Sequence, residues 1–374
     1  MLLYVFIAIG VLLILAFSSY KRLACADQPD SLEFKFFGTN GHVVKVMSVL
    51  MLIFLCVLTG ARARSIGNDT ENYATYFELI AKKGITDELN VEKGYQLICW
   101  LVSKIFSTPH GFFMVVAIFS YAVLGRMIYK YSKNIGFSVA LFFSMFFSAY
   151  MNTIRQGISM AMVLIAYFLI KNGKTKRAVV LILAACLLHK SAIVAMVFVI
   201  YKVIPKKFRL VFPTSIVLAL LGFSGILFNV LKIVSLGYAS YLNPDEIGVG
   251  RLATAWNFAQ AVVFFIIANK AYKDGLKNKK LDKQAERDCQ LPMVAFSCLL
   301  LVTSLGFTMA IFNRLATYFL FITVIEFPNA LEKCKFKNRS LVMWGVSLAL
   351  IAFFFAALIL RPDWNRICPY QFWS

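Results

Sequence analysis

Residues 178–201 read AVVLILAACLLHKSAIVAMVFVIY. Whether these two apolar halves, split by His189-Lys190-Ser191, make one membrane crossing or two sets the topology of the whole chain. Lys171, Lys174, Lys176 and Arg177 precede the stretch, Lys202, Lys206, Lys207 and Arg209 follow it, and neither group contains an acid. A single crossing would leave one strongly basic group outside, against the tendency of Lys and Arg to stay on the cytoplasmic face. The reading is therefore a hairpin of two short helices, its His189 tip pointing outward or held within the membrane. At about 1.5 Å per residue each arm reaches only about 18 Å into a ~30 Å hydrocarbon core, so the tip should be buried in protein or line a cavity.

Ten further apolar runs flank this hairpin, at Leu2–Tyr20, Val43–Gly60, Phe112–Tyr129, Phe137–Met151, Ile154–Ile170, Leu210–Lys232, Leu252–Asn269, Leu291–Ala310, Leu315–Ala330 and Leu341–Leu360. With the hairpin they give about twelve transmembrane segments in an all-α polytopic protein, read as a single integral membrane domain over residues 1–374. The composition agrees: 60% of residues are hydrophobic, 15% are charged, and the mean hydropathy is +0.74, which no soluble domain of this length tolerates on its surface. The net charge of +21 would suggest nucleic acid in a soluble protein, but here Lys and Arg sit in short loops between spans, so no nucleic-acid partner is expected. In the first span, Leu2 to Phe17, the charges Lys21-Arg22 follow the apolar run and none precedes it, the reverse of a cleavable signal peptide. It reads as a retained helix.

On this count Lys21/Arg22/Lys35, Lys130/Lys133, the two groups around the hairpin, the Lys270–Arg287 loop and Lys333/Lys335/Lys337/Arg339 all share one side, the cytoplasmic one. The other side receives both termini, the 61–110 loop, the Met151–Arg155 turn, the Ser235–Arg251 loop, the turn at Asn313-Arg314 and the tail from Arg361. In the 61–110 loop Arg62, Arg64, Lys82, Lys83, Lys93 and Lys104 balance Asp69, Glu71, Glu78, Asp87, Glu88 and Glu92, and neutrality is compatible with export. Tyr73, Tyr76, Phe77 and Ile80 recur at helical spacing behind Asp69. Tyr95, Ile98, Leu101, Val102, Ile105 and Phe106 do so again, with Gln96, Ser103 and Lys104 on the opposite face. The loop reads as two interfacial helices joined by a turn from Lys83-Gly84 to Asn90.

The eight cysteines form no CxxC pair and none has a His companion at metal-ligand spacing, so neither a disulfide framework nor a zinc site is signalled. No P-loop, dinucleotide-binding glycine pattern or HExxH occurs in a suitable place, so energy must come from the substrate or an ion gradient. The chemistry then rests on polar residues of the outer side. Asp69 can cap its helix, act as a base toward a sugar hydroxyl, or hold a divalent metal, roles that are not exclusive. Glu92 can cap its helix, pair with Lys93, or serve as a second base. Tyr73, Tyr76 and Tyr95 suit either an interfacial belt or stacking on sugars.

Arg155 interrupts an otherwise continuous apolar stretch, and a guanidinium at that depth is costly unless paired or facing water. Its fork can take a phosphate bidentately, or it can snorkel from an outer turn. His189, Arg251 and Asn313-Arg314 with Tyr318 lie on the same side. If their helices converge, they form with Asp69 and Arg155 a set suited to an anionic, phosphate-bearing lipid.

Asn68-Asp69-Thr70-Glu71-Asn72-Tyr73 with Tyr76, Glu92-Lys93-Gly94-Tyr95, Arg155-Gln156-Gly157-Ile158, Leu188-His189-Lys190-Ser191 and Asn313-Arg314 with Tyr318 together resemble the EpsG/Wzy-type family of bacterial polysaccharide polymerases, from about Gly60 to Tyr318. The resemblance implies a glycosyltransferase of the bacterial inner membrane. It would move a glycan from its undecaprenyl pyrophosphate carrier onto a lipid-linked repeat unit at the outer face, in O-antigen, capsule or exopolysaccharide synthesis. Activation by pyrophosphate agrees with the missing nucleotide site, and no cofactor is implied. A chain-length regulator is a candidate partner beside the lipid-linked oligosaccharide and the bilayer.

The early acid of the outer loop is also similar to that of GT-C glycosyltransferases, a fold-level analogy. On this reading Asp69, Glu92 and Arg155 are catalytic. Tyr73, Tyr76, Tyr95, Gln156, His189, Arg251, Asn313, Arg314 and Tyr318 bind substrate, with Arg155, Arg314 and either Arg251 or His189 on the pyrophosphate. Two other classes fit the same outer polar set. A flippase or transporter of lipid-linked sugars would leave repeats trapped inside when deleted, and a membrane O-acyltransferase using His189 would leave polymer without acyl groups.

Overall fold

The computed structural model describes residues 1–19, 41–203, 217, 220, 251–277, 283–307, 311–334 and 336–373, with the side chains of residue 251 and residues 283–288 outside the description. The expected span Leu210–Lys232 lies outside the described residues except at residues 217 and 220, and the Ser235–Arg251 loop lies outside them up to Arg251. Among the described residues the regular elements are helical. Eight of the described helices are long and apolar enough to cross a membrane: α1 (Leu2–Ser19), α2 (His42–Gly60), α5 (Pro109–Tyr131), α6 (Ile135–Asn152), α7 (Ile154–Lys171), α10 (Arg251–Lys277), α12 (Ile311–Lys333) and α13 (Arg339–Leu360). The chain is a multi-pass membrane protein. α11 (Lys283–Leu305) adds a shorter apolar segment, Cys289–Leu305.

The stretch that decides the topology is broken where its charges suggest. α8 (Thr175–Cys186) ends before His189, a 3₁₀ turn covers Lys190–Ala195, and α9 (Met196–Val203) follows. The first arm touches α7 where Ser159 Oγ donates to the Ala185 carbonyl at 3.0 Å, and the second where Phe198 meets Tyr167 edge-on at 5.1 Å. Both helices of the 61–110 loop are present, α3 (Thr70–Lys83) and α4 (Lys93–Ser103). At 14 and 11 residues they span only about 21 and 17 Å, too short to cross.

The described chain falls into two compact units. The first comprises Met1–Ile165, Leu183–Lys190 and Asn338–Ser374. Within it α2 packs on α5, and α1, α2 and α13 pack on α6, whose Phe142, Phe143, Phe146 and Phe147 are buried. Both termini and the start of the 61–110 loop share one end of this unit. Tyr4 Oη donates to the Ile367 carbonyl, Trp373 N donates to Ala61 O at 2.9 Å, Ala63 N to Gln371 O at 2.9 Å and Gly67 N to Arg366 O at 3.0 Å.

The loop helices are fixed by burial. Tyr73, Phe77 and Ile80 of α3 and Tyr95, Cys99 and Val102 of α4 pack onto Phe112 and Phe113 of α5, Ile154 and Ile158 of α7 and Leu188 of the hairpin. Each large side chain so enclosed contributes about 1.5–3 kcal/mol, which a short polar-flanked helix could not obtain alone.

Gln96 departs from the expected polar face. It is fully buried, accepting from Thr86 N at 2.8 Å and donating to Val91 O at 3.1 Å. An amide in that position satisfies the backbone of the turn between the two helices, which periodicity cannot reveal. Leu97, Leu101 and Ile105 are instead exposed, as apolar side chains facing hydrocarbon would be.

The second unit comprises Ala166–Ile182 and Ser191–Lys337. There α10, α11 and α12 pack together around Phe264, Phe296 and Phe327, with Phe264 and Phe327 ring centroids 4.6 Å apart. Glu326, 1% exposed in α12, pairs with Lys171 at 2.5 Å.

Candidate functional site

Glu92 precedes α4 in extended backbone, yet its carboxylate makes no cap bond to its own helix. It turns to α7 and the hairpin tip. Arg155 Nη1 lies 2.5 Å from Oε2, the Lys190 backbone N–H donates to Oε1 at 3.2 Å, and His189 Nδ1 stands 3.4 Å from Oε1 without hydrogen-bond alignment. Lys93, the neighbour expected to pair with it, bonds Thr86 O at 2.8 Å and pairs with Asp87. Gly94 makes this possible. A Cβ there would sit 2.5 Å from the Leu187 carbonyl oxygen, so a side chain would push the hairpin tip away from Glu92.

Arg155 lies in the first turn of α7, where the positive end of the helix dipole makes an isolated cation unfavourable and a nearby carboxylate favourable. Its guanidinium rests 5.9 Å from the Tyr73 ring centroid and 5.8 Å from that of Tyr95. Nη1 is taken by Glu92, whereas Nε is buried without a hydrogen-bond partner, as is the Tyr95 hydroxyl. Buried donors lacking acceptors are costly, and an anionic ligand would satisfy them.

Burial pushes the Glu92 carboxyl up. The His189 ring, its own backbone N–H, the Arg155 charge and the Lys190 N–H together outweigh that, and hold it at about 2. Burial raises the Tyr73 hydroxyl against the pull of Arg155, and raises Tyr95 well above the ordinary phenol value, so both remain protonated donors. Both rings are enclosed, and of the three tyrosines only Tyr76 keeps a partly open face.

Asp69 lies at the N-cap position of α3 but makes no side-chain cap bond. Its neighbours are engaged. Asn68 Nδ2 donates to Trp364 O at 2.8 Å and its N–H to Asn152 Oδ1 at 2.5 Å, Thr70 Oγ1 donates to Ile66 O at 2.5 Å, and Glu71 pairs with Arg64 at 3.2 Å. Among the described residues the Asp69 carboxylate has no hydrogen bond or ion pair. Its charge acts on Tyr73, which stacks toward Arg155.

The loop is held against the rest of the unit by groups that the sequence reading passed over. Arg62 is 1% exposed and lies 4.8 Å over the Phe113 ring, with Nη1 on the Thr59 carbonyl and Nε on Thr70 Oγ1 at 3.1 Å. Burial pushes it down to about 10. Its place directly after the end of α2 was the available signal, since a cation there caps the last carbonyls. Asn152 joins the end of α6 to the tail through Asn365 O at 3.1 Å, and Thr153 Oγ1 takes Ala149 O at 3.0 Å, which ends that helix one residue before α7 starts.

Asp69, Tyr73, Tyr76, Glu92, Tyr95, Arg155, Gln156 and His189 thus belong to the first unit, where Gln156 is buried. Ser191, Asn313, Arg314 and Tyr318 belong to the second. There the Ser191 hydroxyl bonds that of buried Tyr318 at 3.1 Å, Asn313 Nδ2 donates to Thr254 Oγ1 at 2.7 Å, and Arg314 is exposed. Arg251 starts α10, with its side chain outside the described residues. Among the described residues no group of His, Cys, Asp and Glu is arranged to hold a metal ion.

No curated protein and no solved structure matches this chain. A family model does, over residues 45–372, a range that takes in the loop helices, Arg155, the hairpin and the C-terminal tail, and the chain belongs to the EpsG family.

Proposed function

We propose that the protein is a polysaccharide polymerase of the bacterial cytoplasmic membrane. It takes a glycan from undecaprenyl pyrophosphate and joins it to a lipid-linked repeat unit at the outer face, where the termini and the 61–110 loop would lie. The observation that carries this reading is the pairing of Arg155 with Glu92 at 2.5 Å, beside buried donors that lack acceptors, at the end of the first unit where an acidic side chain, Asp69, stays uncommitted. Membership of the EpsG family supports it.

In the reaction the acceptor hydroxyl attacks the anomeric carbon of the donor. The new C–O bond forms as the bond to pyrophosphate breaks, and the electron pair leaves with the phosphate oxygen. Asp69 takes the hydroxyl proton. Arg155, kept in place by Glu92, meets the charge that develops on the leaving group through its Nε edge, with the Tyr95 hydroxyl as a neutral donor beside it. His189 belongs to the same set through Glu92. Tyr76 offers the partly open ring for a sugar.

The test is elongation in vitro of a defined lipid-linked repeat by the purified full-length protein. Asp69→Asn should lower the rate about 10²–10⁴-fold, the usual worth of a general base, and Arg155→Ala about 10²–10³-fold. Both variants must still insert and purify like wild type. Undiminished polymer from either would remove its assignment, and wild-type protein that moves the lipid-linked repeat across vesicles without joining it would replace the polymerase by a flippase.

A further inference from the structure

A second place in the first unit has the chemistry of a ligand site. Between α2 and α5 runs a cavity of about 440 Å³, lined by Lys45, Ser48, Leu52, Cys56, Gly125 and Tyr129 among others. Its wall is almost wholly apolar, and its size falls in the usual range for a small ligand.

Two observations point to what fills it. The first is Ser48, which is 2% exposed and lines the cavity with a hydroxyl that has no hydrogen-bond partner. Hydroxyls in these helices ordinarily return their proton to a carbonyl one turn back, as Ser144 does to Ala140 at 2.8 Å and Thr303 to Leu299 at 2.7 Å. Ser48 does not, and a buried hydroxyl left unpaired in an apolar wall is costly unless a ligand oxygen meets it.

The second observation is charge. Lys45 also lines the cavity, its ammonium 5.5 Å over the Tyr129 ring. The stretches 41–61 and 109–135 contain Lys45, Arg126, Lys130 and Lys133 and no acidic residue. An ammonium, an exposed phenol ring and an unpaired hydroxyl lining one apolar cavity match a phosphate head joined to a hydrocarbon chain.

Position selects among phosphate-bearing lipids. Lys45 precedes Ala61 by 16 residues of helix and turn, so it lies about 24 Å along α2 from the end that carries the outer loop and the Glu92–Arg155 site. A head group at Lys45 therefore belongs to the opposite leaflet from a pyrophosphate at Arg155. We infer that the α2–α5 groove is a binding site for one anionic phospholipid of the cytoplasmic leaflet, its acyl chain in the cavity and its phosphate on Lys45 and Ser48. The site is separate from the reaction proposed above; only its assignment to the cytoplasmic leaflet rests on that reading, through the placement of the 61–110 loop at the outer face.

The experiment measures lipid, not polymer. Full-length wild type, Lys45→Gln and Gly125→Leu are purified in mild detergent, and retained lipids are quantified by native mass spectrometry and extraction. Gly125 lines the groove, and a Cβ there meets only Leu52 Cδ1 at an ordinary 3.5 Å, so the leucine fills the cavity without disturbing the backbone. Wild type should keep one phosphatidylglycerol per chain, and each variant should keep at least fivefold less. A second measurement needs no variant: labelled phosphatidylglycerol bound to wild type should be displaced by unlabelled phosphatidylglycerol at least tenfold better than by phosphatidylcholine. Equal retention by all three proteins, equal displacement by the two lipids, or displacement by polyprenyl phosphate in preference to phosphatidylglycerol would each overturn the inference.

Discussion

Exchanging Glu92 for glutamine separates a carboxylate that positions Arg155 from one that takes a proton. The structure sets the scale. The carboxyl is held at about 2 against 4.5 for a free glutamate, a difference worth roughly 3 kcal/mol at ~1.4 kcal/mol per tenfold. The side chains of Arg155 and Glu92 are 23% and 11% exposed, so water reaches the edge of the pair and screens part of this, leaving about 1–2 kcal/mol. Because the folded value lies below the unfolded one, this contribution is complete above pH ~4.5 and is lost as pH falls through about 2.

Glu92→Gln should therefore lower in vitro elongation by roughly 5- to 30-fold, the equivalent of that energy if it serves to hold Arg155 in place. The acidic limb of the rate profile between pH 5 and 8 should not change, because a group titrating at about 2 is fully ionised throughout. In a double-mutant cycle Arg155→Gln should cost less in the Glu92→Gln background than in wild type, by the same 1–2 kcal/mol. A loss of 10³-fold or more that removes the acidic limb and adds fully to Arg155→Gln would make Glu92 the base and refute the division of roles drawn here.

Three further outcomes follow from the packing. Gly94→Ala places a methyl 2.5 Å from Leu187 O, so elongation should fall at least tenfold with the yield of inserted protein unchanged, measured on equal amounts of purified enzyme. Ending the chain at Leu360 removes the carbonyls that hold Gly67 and Asn68 and the Trp373 ring on Phe113, and trypsin should then cut after Arg62 or Arg64 several-fold faster than in the full chain. Glu326→Gln leaves Lys171, 14% exposed, without its counter-charge, and should destabilise by about 3–5 kcal/mol, read as a lowered thermal midpoint that Lys171→Met in the same chain largely restores. An unchanged midpoint in Glu326→Gln would mean that the pair is not formed.

The described spans were legible because one term dominates them: the cost of exposing backbone or charge to hydrocarbon leaves little choice once the apolar runs and the Lys and Arg groups are located. The break at His189 was legible for the same reason. Gln96 was not, because periodicity assigns an amide to the wet face and cannot register that the backbone at Thr86 and Val91 needs it. The tail was less legible still. Its bonds to Ala61, Ala63 and Gly67 run between backbone groups, which every residue carries and which therefore leave no mark in composition. Glu326 did carry a signal, a lone acid inside the apolar run Leu315–Ala330, where an ionisable group asks for a partner.

Asp69 and Glu92 look interchangeable in sequence, each an acid two residues from a glycine at the start of a short helix in the same loop. Their difference comes from what each glycine admits. Gly94 lets the Leu187 carbonyl approach, which brings the Lys190 N–H and His189 onto Glu92 and leaves that carboxylate fixed and weakly basic. Gly67, with φ of +88°, turns the chain so that Met151 and Asn152 hold the backbone before Asp69, and the bonds fall on Asn68 and Thr70 instead of on the acid. A carboxylate that must accept a proton needs free lone pairs, and one that must orient a guanidinium needs to keep its charge. The two environments separate those requirements. Exchanging the residue types at both positions, Asp69→Glu with Glu92→Asp, should for this reason cost most through the shortened reach to Arg155, and restoring Glu92 alone should recover more activity than restoring Asp69 alone.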